Sequence, residues 1–337
     1  MPCPECGADA ADNARFCESC GACLTPNAAP DAPAQTDDRC RCGAGPDETD
    51  ALSYCLACGI KRTRPTPART ALPRDHVETA LVLGFAAVSD RGLRHANNQD
   101  DVALAVEDLG GAAAYVLVVC DGVSSAQEAD IASALASIAA RDTLRSALHA
   151  DAPVSISDMI QAIQEAHSTA RTIPYRRDHE TLGPPGTTLV AAVVHQRTIT
   201  VGWAGDSRAY WIGPDGARLL THDHSWVNET VDAGEMSLEE ASRSKQAHAI
   251  TRCLGALNGD DPLEPSAATF PLPADGGLLL LCSDGLWNYA DSSEELESLV
   301  GGVPPGADAL ALCRRLVEFA LAEGGHDNVT AAVLALG

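Results

Sequence analysis

Aspartates placed at the ends of apolar runs constrain this chain more than any other feature of its sequence. Four of them stand one or two residues from such a run: Asp121, Asp206, Asp284 and Asp327. The runs are short and consist mainly of Val, Leu and Ala, which is typical of buried β-strands. Because a core strand that stops at an acid delivers the carboxylate to the rim of its sheet, several such strands side by side predict a cluster of carboxylates.

A cluster of carboxylates needs a cation, because like charges held close together repel and raise each other's pKa. Oxygen-only ligation suits hard cations such as Mg²⁺ or Mn²⁺, and two such ions about 4 Å apart form a recurrent hydrolytic site. Gly122 and Gly285 directly follow two of the acids, where they permit tight turns and leave a backbone carbonyl able to ligate. For any single Asp-Gly pair a hairpin turn is the simpler interpretation, but four acids in the same position favour a metal site.

The order of the apolar runs predicts an α/β (α+β) chain with antiparallel sheets. Runs 188–195 and 198–204 follow each other with no helix between them, which indicates a hairpin and not a doubly wound parallel sheet. Expected helices cover Ser124–His149, Ser155–Arg171 and Ala307–Ala322. Expected strands include Leu81–Val88, Ala114–Cys120, Thr188–His195, Thr198–Ala204 and Leu278–Cys282.

Nine of the 13 cysteines lie before residue 60, in two units of similar layout. The first unit has two Cys-x2-Cys pairs and leaves Cys23 over; its pairs are Cys3, Cys6, Cys17 and Cys20. The second unit has a tighter first pair, and its cysteines are Cys40, Cys42, Cys55 and Cys58. Two such turns can present four thiolates tetrahedrally to Zn²⁺, so we predict one or two structural zinc ions. A reactive or disulfide-forming tail is the alternative, and a reducing compartment disfavours it.

Composition divides the chain into five segments. They are a first zinc ribbon (1–23), a linker (24–38), a second ribbon (39–60), a second linker (61–78) and a globular domain (79–337). No apolar run approaches the roughly 18 residues of a membrane span, and no signal peptide is visible at the N-terminus. We therefore expect a cytoplasmic protein that does not contact membranes.

The charge balance argues against nucleic acid as a partner. The formal net charge is −24, and residues 1–60 contain ten acidic and three basic side chains. Zinc ribbons can bind nucleic acid, but this balance opposes attraction to a phosphate backbone. Docking of a protein partner, such as a kinase or its substrate, is therefore the preferred role for the ribbons.

Eight segments of the globular part carry motifs in a characteristic order. They are SDRGLRHANNQDD (89–101), VVCDGVSS (118–125), GTTLVAAVV (186–194), VGWAGDSRAYWI (201–212), THDHSWV (221–227), ITRCLG (250–255), LLLCSDGLW (279–287) and GGHDNVTAAVL (324–334). Together they make residues 81–336 resemble the metal-dependent protein phosphatases of the PPM (type 2C) family, in particular the compact bacterial form. The resemblance implies two antiparallel sheets packed as a sandwich, with helices on both outer faces. It also implies hydrolysis of phosphoserine and phosphothreonine in the protein substrates of kinases, by water activated between two metal ions.

The resemblance also implies roles for the clustered acids. Asp121 is expected to bridge two Mn²⁺ or Mg²⁺ ions, and Gly122 to give a carbonyl oxygen to one of them. Asp284 and Asp327 are expected to complete the shell of the first ion. Asp206 corresponds to the acid that helps to hold a third, weaker ion in bacterial members.

Further positions correspond to the surroundings of that site. Asp100 corresponds to the acid that orients the attacking water, and Gln99, Asn328 and Gly186–Thr188 correspond to supporting positions. The span 222–249 corresponds to the flap beside the active site. Gln99 stands where many members carry Glu, so it offers an oxygen without the charge, and we expect one metal ion to bind less tightly.

A second departure concerns the group that binds the substrate phosphate. The family usually has an arginine five residues before the motif aspartate, and here that position is His95, with Arg94 one place earlier. Either Arg94 turns toward the phosphate or His95 replaces it with a weaker, pH-dependent charge; a shifted loop without consequence is the third interpretation. The departure motivates an alternative function, a catalytically weak phosphoprotein-binding or scaffold protein that docks partners through its ribbons.

Overall fold

The computed structural model describes residues 75–149, 152–179, 181–255, 262–290, 292–301 and 307–336. The two predicted zinc ribbons, their eight cysteine ligands and the first linker lie outside the described residues. The first strand begins at His76, inside the segment predicted as the second linker.

Thirteen strands and seven helices make up the described part of the chain. The strands are β1 (His76–Val82), β2 (Phe85–Asp90), β3 (Asp101–Asp108), β4 (Ala113–Cys120), β5 (Gly186–Thr187), β6 (Leu189–His195), β7 (Thr198–Ala204), β8 (Arg208–Gly213), β9 (Gly216–Leu219), β10 (Leu254–Gly255), β11 (Ser266–Pro271), β12 (Gly277–Cys282) and β13 (Val329–Leu336). The helices are α1 (Ala129–Ser146), α2 (Ile156–Arg171), α3 (Trp226–Asp232), α4 (Leu238–Ser242), α5 (Asp284–Trp287), α6 (Ser293–Val300) and α7 (Ala309–Ala322).

Two antiparallel sheets form the centre of the fold. The first sheet has the strand order β1-β2-β13-β12-β8-β9, and the second has the order β11-β7-β6-β4-β3. An apolar cluster with residues from both sheets lies between them. A second cluster joins the second sheet to α1 and α2, and a third joins the first sheet to α5, α6 and α7. The predicted sandwich with helices on both outer faces is therefore confirmed.

Strand β12 illustrates why the core strands are apolar without interruption. Leu279 and Leu281 pack into the cluster between the sheets, whereas Leu278, Leu280 and Cys282 pack against the helices. Because successive side chains of a strand point to opposite faces, a strand covered on both faces must be apolar at every position. Cys282 is thus a core residue, as expected for a strand cysteine.

Two expected elements differ from the structure. The run Leu81–Val88 is not one strand but the hairpin between β1 and β2, with Val82 opposite Phe85. Its turn residue Leu83 is apolar and 68% exposed, so no polar residue marks the turn in the sequence. The first expected helix begins at Ala129 and not at Ser124, because Glu128 has a left-handed backbone (φ 52°) through which a right-handed helix cannot continue.

The ends of other helices follow local signals. Ser155 caps α2 in a reciprocal capping box with Asp158, and Asp308 caps α7 through two backbone N–H groups. Among the described residues, no helix has the length and apolar character that crossing a membrane requires.

Candidate metal centre

The predicted acids meet at one end of the sandwich. Strands β3 and β4 are neighbours in the second sheet, so Asp100, which precedes β3, and Asp121, which follows β4, share one end. Strands β12 and β13 are neighbours in the first sheet, which places Asp284 and Asp327 together in the same way. A hydrogen bond of 2.8 Å from Ser283 Oγ to Asp100 Oδ2 joins the two pairs across the sheets.

Asp206 joins this group from the connection between the sheets. It lies between β7 of the second sheet and β8 of the first, and its carbonyl oxygen accepts a hydrogen bond of 2.9 Å from Trp287 Nε1 on α5. The same short helix begins at Asp284. Five carboxylates from separate parts of the sequence therefore lie at one site.

Burial and mutual repulsion raise the pKa values of four of these acids. Burial raises the pKa of Asp100 to about 7, although hydrogen bonds from Thr330 and Ser283 oppose the increase. Burial raises the pKa of Asp121 well above its usual range, and the charge of Asp100 is the next cause. The protein thus holds carboxylates together at a cost in free energy when nothing positive lies between them.

The pKa values of the other two acids, Asp284 and Asp206, are raised by burial and by neighbouring carboxylates. Burial raises the pKa of Asp284 to about 6, and the charge of Asp327 adds to the increase. Burial raises the pKa of Asp206 to about 8, followed by the charges of Asp284 and Asp223. Because the charge of Asp284 raises the pKa of Asp206, the two carboxylates are close neighbours, although Asp206 lies on the connection between β7 and β8.

One oxygen of Asp100 is held in place and the other is not. Its Oδ2 accepts hydrogen bonds from Ser283 Oγ at 2.8 Å and from Thr330 Oγ1 at 2.7 Å. Ser89 Oγ lies 2.7 Å from Thr330 Oγ1 and accepts from Asn98 Nδ2, so a chain of hydroxyl groups supports the carboxylate. The orientation of Asp100 is therefore set by the surrounding structure.

Two buried carboxylate oxygens in the cluster, Asp100 Oδ1 and Asp284 Oδ1, have no hydrogen-bond partner. Buried polar atoms are almost always paired, so these two atoms indicate a missing positive partner. Oxygen donors alone, from several carboxylates, fit Mg²⁺ or Mn²⁺. Within the described parts of the chain, no three His, Cys, Asp or Glu side chains have the geometry of a metal site, so the acids converge without forming a closed coordination shell.

Gly122 is required by close packing. Its N–H donates to the Gln99 carbonyl oxygen at 3.1 Å. A Cβ at this position would lie 2.6 Å from that oxygen and 2.8 Å from the carbonyl oxygen of Ala129. No larger residue fits between the loop before β3 and the start of α1, and this close approach keeps Asp121 next to Asp100.

Asn328 and Thr188 support the loops that carry the acids. Asn328 Oδ1 accepts from the Gln99 N–H at 2.8 Å, and its Nδ2 donates to the carbonyl oxygens of Arg91 and Asn97. Thr188 donates its N–H to the Asp121 carbonyl oxygen at 2.7 Å. The positions expected to support the site therefore contact its loops directly.

The two candidates for the phosphate contact are placed differently. His95 Nε2 lies 3.2 Å from Asp327 Oδ1, and both side chains are about one-third exposed. Arg94 is exposed on the same loop. Arg91, which was not predicted, hydrogen-bonds to the His95 carbonyl oxygen through its Nη1. The structure thus brings His95, and not Arg94, to the acids.

The sequence did not indicate several polar residues that shape the site. Ser283 and Thr330 orient Asp100, and Ser207, next to Asp206, lies with its Oγ 2.7 Å from the hydroxyl of the predicted Thr188. Each lies within two residues of a predicted acid or supporting residue. A polar residue inside an otherwise apolar strand, as Thr330 is in β13, is the signal that could have identified it.

Comparison with known proteins agrees with this fold. The family model for protein phosphatase 2C matches residues 92–318. Those residues contain α1, α2, the whole second sheet and strands β8, β9 and β12 of the first sheet, together with Asp100, Asp121, Asp206 and Asp284. The chain therefore belongs to the protein phosphatase 2C family.

Individual relatives extend the match. The chain is 30% identical over 245 residues to the serine/threonine phosphatase Stp of Listeria innocua, covering 72% of this chain and 91% of that protein. It is 32% identical over 258 residues to the serine/threonine protein phosphatase PstP of Mycobacterium tuberculosis, covering 75% of this chain but only 45% of PstP. A crystal structure of the PstP catalytic domain with two manganese ions has a TM-score of 0.57 and 29% identity, covering 78% of this chain and all of that domain.

Proposed function

We propose that this chain is a metal-dependent phosphatase that hydrolyses phosphoserine and phosphothreonine in protein substrates. The observation that carries the proposal is the pair of buried, unpartnered oxygens, Asp100 Oδ1 and Asp284 Oδ1, within a group of five acids. Family membership supports the reaction type, and the two manganese ions of the PstP structure support the type of metal.

Asp121, Asp284 and Asp327 would hold the first ion, Asp121 and the Gly122 carbonyl oxygen would hold the second, and Asp206 would help to hold a third. Mn²⁺ or Mg²⁺ in these positions supplies Lewis acidity, which lowers the pKa of water and offsets charge on the phosphoryl oxygens. No side-chain nucleophile is then required, and Ser283 already donates its hydroxyl to Asp100.

Asp100 would position the attacking water. Its Oδ2 is occupied by two hydroxyl donors, so its unpartnered Oδ1 is the atom able to accept the proton of that water. Burial raises the pKa of Asp100 to about 7 in the metal-free chain, and cations bound beside it would lower this pKa, so that Asp100 would accept the proton as a carboxylate.

His95 would contact the substrate phosphate, held at the site by its contact with Asp327, whose Oδ1 lies 3.2 Å from His95 Nε2. Histidine offers a weaker and pH-dependent charge in place of the bidentate guanidinium group. We expect His95→Arg to lower the KM for a phosphothreonine peptide by about tenfold or more, since one charge-assisted hydrogen bond is worth roughly 1.5–3 kcal/mol and each 1.4 kcal/mol is a factor of ten. Steady-state kinetics at pH 8 would measure it, with Arg94→Ala as the matched control on the same loop. An unchanged KM for His95→Arg would contradict this role.

The test of the function itself is metal-dependent hydrolysis. The full chain is assayed with p-nitrophenyl phosphate and a phosphothreonine peptide, with Mn²⁺, with Mg²⁺ and with EDTA. We expect turnover with either metal and none in EDTA. Turnover that survives EDTA would refute the metal mechanism.

The contact between His95 and Asp327 favours one other function, because it engages an expected metal ligand. That function is a catalytically weak phosphoprotein-binding protein. Binding of the phosphopeptide without any hydrolysis in Mn²⁺ would establish it in place of the phosphatase.

Residues 1–60 would bind zinc and dock a protein partner, on the argument from cysteine spacing and acidic charge. The clustered cysteines also suit the reducing cytoplasm. Metal analysis of the purified chain beside Cys17→Ser and Cys55→Ser would test each ribbon separately. We expect each variant to lose one zinc ion, and a wild-type chain without zinc would exclude both ribbons.

A further inference from the structure

A buried arginine beside the acids connects three elements of the site. Arg208 opens β8, two residues after Asp206, and its side chain is only 17% exposed. Its Nε and Nη2 donate to both carboxylate oxygens of Asp223 at 2.7–3.1 Å, and its Nη1 donates to Tyr210 Oη at 3.1 Å. Because Asp223 is 6% exposed, this is a buried, bidentate ion pair with a defined orientation.

The guanidinium group also determines the position of an aromatic ring. Its central carbon lies 3.6 Å from the centroid of the Trp287 ring, on the face of the indole. The edge of that indole donates from Nε1 to the Asp206 carbonyl oxygen at 2.9 Å. Trp287 is therefore held on its face by Arg208 and at its edge by the turn that carries Asp206.

Trp287 connects that turn to a second acid. It ends α5, the four-residue helix that begins at Asp284. The distance between Asp206 and Asp284 is thus bridged by one hydrogen bond, one ring and one helical turn. Asp206 and Asp284 both carry carboxylates, and like charges held close together repel, so this connection opposes their separation.

The same arginine reaches the base of the flap. Asp223 accepts a hydrogen bond on its carbonyl oxygen from Asn228 Nδ2 of α3, and the neighbouring His224 N–H donates to the Gly205 carbonyl oxygen at 2.9 Å. The turn 205–208 is therefore attached to α5 on one side and to the start of the flap on the other.

From this geometry we infer that Arg208 and Trp287 are positioning residues that hold Asp206 at a fixed place relative to Asp284, so that both acids can bind the same group of cations. The inference rests on the proposed function. It predicts that loosening the connection weakens the ion held with the help of Asp206 more than the ion held by Asp121, Asp284 and Asp327.

Two variants loosen the connection by different means. Arg208→Lys keeps the positive charge but loses the bidentate contact and the planar stack. Trp287→Phe keeps an aromatic face but loses the Nε1 donor to Asp206. Arg218→Lys is the matched control, because Arg218 lies 5.3 Å from the ring of Phe270 and is not connected to the acids by any of these contacts.

Three quantities are measured for each variant. Calorimetric titration of the metal-free full chain with Mn²⁺ gives the affinity of each binding step. The melting temperature, and the Mn²⁺ concentration that gives half-maximal hydrolysis of p-nitrophenyl phosphate, are then determined. We expect the weakest Mn²⁺ binding step to weaken about tenfold in Arg208→Lys and in Trp287→Phe, the lower end of the range for residues that orient metal ligands. The tighter step should persist in both variants, and Arg218→Lys should bind Mn²⁺ as the wild type does.

Each result decides the inference. Mn²⁺ binding isotherms identical to the wild type in both variants would overturn the inference. A loss of all binding steps together with a lower melting temperature would also overturn it, because that result indicates a merely structural role. If Arg208→Lys fails to fold, Trp287→Phe still decides, because it removes the Nε1 donor to Asp206 and leaves the Arg208–Asp223 ion pair in place. A wild-type chain that binds no Mn²⁺ and hydrolyses nothing would refute the proposed function instead.

Discussion

Buried polar atoms without partners occur at both ends of strand β6, and the two ends differ in what surrounds them. At the start of the strand lie the acids, with the unpartnered Asp100 Oδ1 and Asp284 Oδ1. At its other end His195 is 2% exposed, and neither ring nitrogen has a partner. His195 lies opposite Thr198 next to the hairpin turn.

The difference shows how to distinguish a site from a packing defect. An unpartnered buried polar group costs roughly 1–3 kcal/mol wherever it occurs. Near Asp100 the cost is shared by several converging acids, so one bound cation can compensate for all of them. At His195 the described residues supply no partner to either ring nitrogen, and we interpret the cost as a simple loss of stability. Replacing a residue that has an unpartnered polar atom should therefore stabilise the metal-free fold at either end of β6. Only the replacement at the acidic end should abolish activity.

The largest effect is expected from Asp284→Asn. Loss of this carboxylate should lower kcat/KM by roughly 10³-fold or more, because metal ions contribute several kcal/mol to such reactions and each 1.4 kcal/mol is a factor of ten. The metal-free variant should also melt at a higher temperature than the wild type, since one repelling charge is gone. Asp142→Asn, an exposed acid on α1, is the control. A fully active Asp284→Asn would remove the basis for the comparison.

A smaller effect is expected from Thr330→Val, which removes one hydroxyl donor from Asp100 Oδ2 without changing the volume of the side chain. That hydrogen bond lowers the pKa of Asp100. Its loss should therefore raise this pKa, so that the acidic limb of the pH–rate profile moves to higher pH, and kcat near pH 7 should fall about tenfold. Thr200→Val, which loses a buried hydrogen bond to the Val154 carbonyl oxygen, is the matched control. An unshifted acidic limb would contradict the role of Asp100.

Without metal, the free energy of unfolding should decrease as pH rises, because of the buried acids. The folded pKa values of Asp100, Asp284 and Asp206, about 7, 6 and 8, all lie above the ordinary value of 3.8. The folded state therefore binds more protons than the unfolded state, and its stability falls as pH rises from about 4 to 8. The fall is at most about 1.4 kcal/mol per pH unit for each group.

Melting temperatures in EDTA between pH 5 and pH 8 would measure this fall. Added Mn²⁺ should reduce it, because the cation stabilises the ionised carboxylates. A melting temperature that rises with pH in EDTA would be the opposite of the expected sign.

The smallest effect is expected from His195→Leu at the far end of β6. Leucine has a similar volume and no polar atoms, so the free energy of unfolding should increase by about 1 kcal/mol. Chemical denaturation would measure the change, and hydrolysis of p-nitrophenyl phosphate should be the same as in the wild type. A loss of activity here would show that the two ends of the strand are coupled.

Local patterns were sufficient to predict several parts of this protein. The expected hairpin of β6 and β7 is present, and α2 occupies the expected span up to Arg171 with Ser155 as its cap. Both features depend on near neighbours in the sequence, namely two adjacent apolar runs and a helix start. The turn at Leu83 and the left-handed Glu128 were not predicted, because Gly84 is a single turn signal within an apolar run and one unusual backbone conformation leaves no composition signal.

By itself, the sequence determined which acids stand at strand ends and that the strands are buried on both faces, because these depend on the order of residues along the chain. Only the tertiary structure decided which partners the acids have. Thr330 reaches Asp100 across 230 positions of sequence, His95 meets Asp327, and Arg208 stacks on Trp287. Contacts of this kind depend on how the two sheets align, and that alignment is set by packing of the whole apolar core and not by any local pattern.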